Sequence, residues 1–366
     1  MILIALAALT LAQDKLSVYV GTSGKGGNGI YRFDFDPKTG KAGEASLAVE
    51  TANPSFLSVH PGGKHVYAVG EIGNFEGKKS GAVNAFAIQA DGSLKLLNAQ
   101  PSGGGGPCHI VVDKGGKNVL VANYGGGSCE AIPIQADGTL AAPTSFHQHQ
   151  GSSVDKGRQS SPHAHSINLD PAGRFAFCAD LGLDKILVYK WDPAKGLLTP
   201  NDPPAAPAPA GSGPRHFAFR PDGKFAYACG EMTSTVIAYA YDAEKGALSE
   251  IQVISTLPEP VKGNSTAEIV AHPSGKTLYC SNRGHDSIAV YDIDPATGKL
   301  TSKGQVKTGG KTPRNFALDP SAQWLFAGGQ GSDTIHVFKV GADGGLTATD
   351  TVVKVPNPVC MRFLAK

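Results

Sequence analysis

Charge is scarce in this 366-residue chain, where Asp, Glu, Lys and Arg together make up 17% of the residues, below the roughly 25% of an average soluble domain. Lys and Arg total 33 against 31 Asp and Glu, and neither sign forms a run. A net charge of +2 distributed in this way leaves no footprint for nucleic acid or for an anionic membrane surface, so neither partner is expected. No apolar stretch is long enough to span a bilayer, the run from Ile2 to Leu11 included. The cysteines form no Cys-x-x-Cys pair, so neither a zinc motif nor a dithiol redox motif is indicated. A Gly-x-Ser-x-Gly elbow is also missing, which argues against a serine acyl-enzyme.

Glycine and proline, by contrast, are abundant, at 47 and 25 residues, and they fall in a pattern. The chain repeats itself about every fifty residues, seven times over. One landmark is a Pro-x-Gly turn before a short apolar strand. It occurs at Pro61-Gly62-Gly63, Pro171-Ala172-Gly173, Pro221-Asp222-Gly223 and Pro273-Ser274-Gly275. Lys114-Gly115-Gly116 and Pro320-Ser321-Ala322 are degenerate copies, and the strand Ser17 to Thr22 has no turn before it. The second landmark is a Gly shortly before Leu, as at Gly92-Ser93-Leu94, Gly138-Thr139-Leu140, Gly246-Ala247-Leu248 and Gly298-Lys299-Leu300.

Each unit therefore reads as about four short strands joined by tight turns, and seven such units make an all-β, seven-bladed β-propeller with four-stranded antiparallel blades. The two tryptophans rule out the Trp-Asp repeat kind. A further Pro stands at the start of the inner strand in several units, at Pro54, Pro107, Pro214 and Pro313, and the C-terminal Pro358-Val359-Cys360 repeats that element. The tail is thus expected to supply the inner strand that the first unit lacks, closing the ring. Closed rings satisfy their own edges, so a monomer is expected. Residues 1–13 resemble a signal peptide with cleavage after Ala12, which points to a periplasmic or secreted protein, or a cytoplasmic one if the leader is retained. Residues 14–366 would then form a single propeller domain. Cys178, Cys229 and Cys280 fall in the same strand of three units, and they read with Cys108, Cys129 and Cys360 as buried free thiols.

Propeller geometry tells where chemistry can sit. The start of each inner strand and the end of the next strand lie on one face, around the mouth of the central channel. The inner-strand starts carry Ser55, Cys108, His165, Arg215, Ala267 and Arg314, followed by Phe56, His109, Ser166, His216, Glu268 and Asn315. The ends of the second strands carry Glu71, Tyr124, Leu181, Glu231, Arg283 and Gln330. A lone Arg or His at such a place is usually a solvated or capping residue, but several in register on consecutive blades would converge on one spot. Glu71 and Glu268 read as ion-pair partners that orient the arginines. His147-x-His149 and His163-x-His165 lack a third ligand at a set spacing, so no metal is expected.

The segments SPHAHSINLDPAGRFAFCADLGLDKI, GPRHFAFRPDGKFAYACGEMTSTV, HPSGKTLYCSNRGHDSIAVY and TPRNFALDP resemble the seven-bladed propeller lactonase family, which includes bacterial propeller 6-phosphogluconolactonases and the fungal carboxy-cis,cis-muconate lactonizing enzyme. The resemblance covers almost all of the chain after the leader. It implies a metal-free site without cofactor, with His165, Arg215, Glu231 and Arg283 as catalytic residues. His163 is the substitute if the histidine is displaced by one pleat. His163, His109, His216, Arg314, Glu268, Asn315 and Glu71 would contact a small lactone substrate. The implied reaction is hydrolysis of a sugar lactone, 6-phosphogluconolactone or a related aldonolactone. A muconate-type cycloisomerase and a non-catalytic binding platform are the alternatives, and the general base is open between Glu231 and His165.

Overall fold

A computed structural model describes residues 15–24 and 28–365. The expected leader, residues 1–13, lies outside them. The described residues form strands and no helix, and so none that could cross a membrane.

The seven sheets follow the sequence repeat. The second to seventh blades begin at Leu57–Val59, Pro107–Val112, Ala164–Leu169, Pro214–Phe219, Ser265–Ala271 and Pro313–Leu318, and each runs outward through four consecutive antiparallel strands. In the first blade Leu16–Thr22 pairs on one side with Gly29–Asp36 and on the other with Pro358–Ala365, in register from Leu16 with Ala365 to Gly21 with Cys360. The chain ends thus share one blade, as the repeat of the Pro element at Pro358 implies. The core lies in the seams between neighbouring blades, where clusters such as Tyr227, Cys229 and Val236 of the fifth blade pack on Ile269, Leu278 and Tyr291 of the sixth.

The two sequence landmarks are joined across these seams. A tyrosine of the second strand in one blade donates its hydroxyl to the carbonyl of the landmark glycine in the next. The pairs are Tyr19 with Gly92, Tyr67 with Gly138, Tyr227 with Gly298 and Tyr279 with Gly344, at 2.7 to 3.0 Å. Gly298 also has φ of +70°, and a Cβ added to it would stand 2.2 Å from Phe225 Cδ1. Only glycine tolerates both the left-handed backbone and this approach. Gly298→Ala is expected to cost about 1–3 kcal/mol and Tyr227→Phe about 1 kcal/mol in urea unfolding, and equal stability of the wild type and Gly298→Ala would refute the seam role.

A bulge recurs where the inner strand meets the second strand. The ladder pairs Pro214 with Gly230 and then Phe217 with Ala228, so Arg215 and His216 together oppose Cys229. Equivalent shifts occur at Cys108, His165, Ala267–Glu268, Arg314 and Val359. Simple alternation would send one of two successive side chains away from the axis. The extra residue re-aims the strand, and Arg215 and His216 are both buried, at 2% and 4% exposure.

Candidate functional site

Glu231 is the centre of the site. It follows the strand Phe225–Gly230, and its backbone N–H is tied to the Gly213 carbonyl, which aims its carboxylate toward Arg215 and Arg283. Oε2 lies 3.0 Å from Arg215 Nε, 3.0 Å from Arg283 Nη2 and 3.9 Å from His165 Nε2. Oε1 accepts from Arg158 Nη2 at 2.8 Å. The four residues expected from register and resemblance therefore meet around one carboxylate, and His165 rather than His163 is the histidine that reaches it.

Burial would raise the Glu231 carboxyl, but Arg283, Arg215 and Arg158 outweigh it and hold it at about 2. Burial and then Arg215 push His165 well below the ordinary imidazole value. Burial and Arg215 also bring Arg283 down to about 10, so it stays charged at neutral pH. At pH 7 the group is therefore three guanidinium cations, one carboxylate and a neutral imidazole.

Other hydrogen bonds fix these side chains. Arg215 Nη1 donates to the Ala267 carbonyl and Arg283 Nη2 to the Thr266 carbonyl at 2.8 Å. The His165 Nδ1 edge faces Cys108 Sγ at 3.5 Å, and its ring meets Tyr124 edge-on at 5.1 Å. His163 stacks on Tyr124 at 4.5 Å, with Nδ1 on the Tyr124 carbonyl.

The remaining candidates form a deeper layer. Glu268 accepts from His216 Nδ1 at 2.8 Å and from Asn315 Nδ2. This corrects the expectation that it orients an arginine, because the bulge turns it toward the histidine of the preceding blade. Burial and Arg215 keep His216 low, at about 4, against the pull of Glu268. His109 packs 4.3 Å from the Phe56 ring and 5.3 Å from His216. Glu71 and Arg314 line a small cavity of about 10 Å³ with Ser55, Arg215 and His216. Three of the atoms lining it are buried without a hydrogen-bond partner among the described residues: Ser55 Oγ, Glu71 Oε2 and His216 Nε2. A cavity of that size, lined by such atoms, fits about one ordered water.

Arg158 was not found by sequence reasoning. It comes from the aperiodic segment between the strands Ser145–Gln148 and Ala164–Leu169, where no register argument applies. Asp155 Oδ1 accepts from the N–H groups of Gly157 and Arg158, and Gln159 Nε2 is anchored on the Leu181 carbonyl. This turn delivers the half-exposed Arg158 to Glu231 and to the Tyr124 hydroxyl. The one available signal was an arginine inside a long insertion beside the mouth.

Comparison with known proteins identifies the family. The family described as "Lactonase, 7-bladed beta-propeller" matches residues 17–363. The 6-phosphogluconolactonase of Bacillus subtilis (strain 168) is 36% identical over 350 residues, 94% of this chain and 97% of that protein. A 6-phosphogluconolactonase of Formosa agariphila is 36% identical over 90% of this chain and 93% of its own length. Among solved structures, the periplasmic gluconolactonase of Pseudomonas aeruginosa superposes with a TM-score of 0.88 at 30% identity, covering 96% of this chain and 99% of the other.

Proposed function

Since the chain belongs to the seven-bladed β-propeller lactonase family and is a lactonase, we propose that its channel-mouth cluster hydrolyses an anionic sugar lactone, 6-phosphogluconolactone, to 6-phosphogluconate. The observation that carries the choice of substrate is the charge of the site, where Arg158, Arg215 and Arg283 face the single carboxylate of Glu231. That excess of positive charge is complementary to a phosphate, which guanidinium forks bind well.

The chemistry needs a water deprotonated, an oxyanion stabilised and a proton returned to the ring oxygen. Arg215 and Arg283 are placed to receive the carbonyl oxygen as it becomes negative. Glu231 takes the proton of the attacking water and returns it to the leaving alkoxide. The arginines hold it at about 2 in the free protein. A substrate phosphate that draws Arg158 away removes one of those cations and raises its proton affinity, so binding turns the base on. Neutral His165, 3.9 Å from Glu231, orients the water through its unprotonated nitrogen. Cationic donors on both sides of the carbonyl do the work a Lewis acid would do, and the proposed reaction is independent of metal.

A second substrate has its own support. The Pseudomonas neighbour is named a periplasmic gluconolactonase, and an exported protein would meet plain aldonolactones. A pH-stat assay comparing 6-phosphogluconolactone with glucono-δ-lactone, with and without EDTA, separates the two. The expected result is EDTA-resistant turnover with at least about tenfold higher kcat/KM for the phosphorylated lactone, since removing one charge-assisted contact costs about 1.5–3 kcal/mol. Preference for the plain lactone would move the assignment to the periplasmic substrate, and inactivity on both would overturn lactone hydrolysis at this site.

A further inference from the structure

The histidine pair His147-x-His149 lacks a third ligand in sequence, yet the fold supplies two. Cys129 Sγ, Cys178 Sγ and a ring nitrogen of His149 all lie within 4.8 Å of one another, and all three residues are buried. Cys129 comes from the third strand of the third blade and Cys178 from the second strand of the fourth. His149 follows the outermost strand of the third blade. We propose that Cys129, Cys178 and His149 form a binding site for a thiophilic metal ion, Cu(I) being the species that three such donors fit.

Several observations point the same way. His149 Nδ1 donates to Asp180 Oδ2 at 2.6 Å, which fixes the ring and turns Nε2, bonded to the Tyr189 hydroxyl at 3.0 Å, to the metal side. A carboxylate behind the imidazole is the usual support of a metal-binding histidine. The two sulfurs and the imidazole are buried together, and the thiolate is the form of cysteine that binds metal. Thiolates and imidazole select soft ions over Mg²⁺ or Ca²⁺. Zinc would want a fourth donor, and His149 Nε2 is met by the Tyr189 hydroxyl at 3.0 Å. Closing a metal–sulfur distance of about 2.3 Å asks the donors to draw in by under about 1 Å.

The site has a structural consequence at the mouth. Asp180 holds His149 through Oδ2 and the His163 N–H through Oδ1 at 2.8 Å, so it pins both feet of the segment that carries Arg158. A metal on His149 staples that segment to the seam between two blades. The mouth cluster is a separate set of residues, so the site stands whether or not the substrate assignment above survives.

The test loads metal during refolding, because the donors are buried. The full chain is unfolded with reductant under anaerobic conditions and refolded with Cu(I) held by bathocuproine disulfonate, and in parallel with Zn(II). Bound metal is counted after desalting. About one equivalent of Cu(I) is expected in the wild type, together with a raised Tm. It is also expected in Cys229→Ser, which disrupts the other neighbouring thiol pair, Cys229 with Cys280, where no histidine joins. Cys178→Ser and His149→Gln should each retain under about a tenth of an equivalent with wild-type circular dichroism, His149→Gln covering the case in which Cys178→Ser fails to fold. No retained copper in the wild type, equal retention in His149→Gln, or retention of zinc but not copper would each overturn the proposal.

Discussion

Glu231→Gln is expected to lower kcat/KM for lactone hydrolysis by about 10²–10⁴-fold, the range associated with loss of a general base. The amide keeps the shape of the carboxylate but can take no proton, and it leaves Arg158, Arg215 and Arg283 without their shared counter-ion. Stability should fall as well. The folded carboxyl sits at about 2, below the roughly 4.3 of an unfolded Glu, so its contribution is fully present above pH ~4.3 and is lost as pH falls toward 2. The wild type should therefore lose stability in that window, and Glu231→Gln should lose none there from this group. Full activity in a folded Glu231→Gln protein would remove Glu231 from the chemistry.

Arg215→Ala has the second large effect. Arg215 is 2% exposed and lies between the Glu231 carboxylate and the Ala267 carbonyl, so its loss removes an oxyanion donor and opens a buried ion cluster. About 10²–10³-fold in kcat follows from the first and about 3–5 kcal/mol of stability from the second. Arg215→Lys should restore part of the stability and little of the rate, since an ammonium cannot address Glu231 and a substrate oxygen with one planar fork. Steady-state kinetics alongside thermal unfolding of both variants tests this. Equal recovery of rate and stability by lysine would show that charge alone suffices.

The ring was legible because it is written in local turn chemistry. Pro-x-Gly turns, landmark glycines and the repeated Pro at 358 each specify backbone conformation within a few residues, and seven copies leave little freedom. Register lists His165, Arg215, Glu231 and Arg283 among many inner-strand and second-strand positions, the family resemblance singles them out, and the structure brings them together. Glu268 was misassigned because the bulge that turns it toward His216 breaks the alternation on which such a reading depends. Arg158 was missed because its segment has no period. The meeting of Cys129, Cys178 and His149 is a contact across a seam between strands of different rank, and a repeat says nothing of those. Export remains an expectation resting on residues 1–13.

The blade shared by the two ends of the chain gives the protein a temporal order as well as a shape. Pro358–Ala365 is made after every residue of the Glu231 cluster, so a nascent chain can hold all of those side chains while Leu16–Thr22 still has a bare edge. During that interval the molecule is an adhesive arc whose free strand can join another copy of itself. Interrupted synthesis or a clipped tail is therefore expected to leave the Leu16–Thr22 edge open to pairing with another copy, and the final strand is the step that covers it.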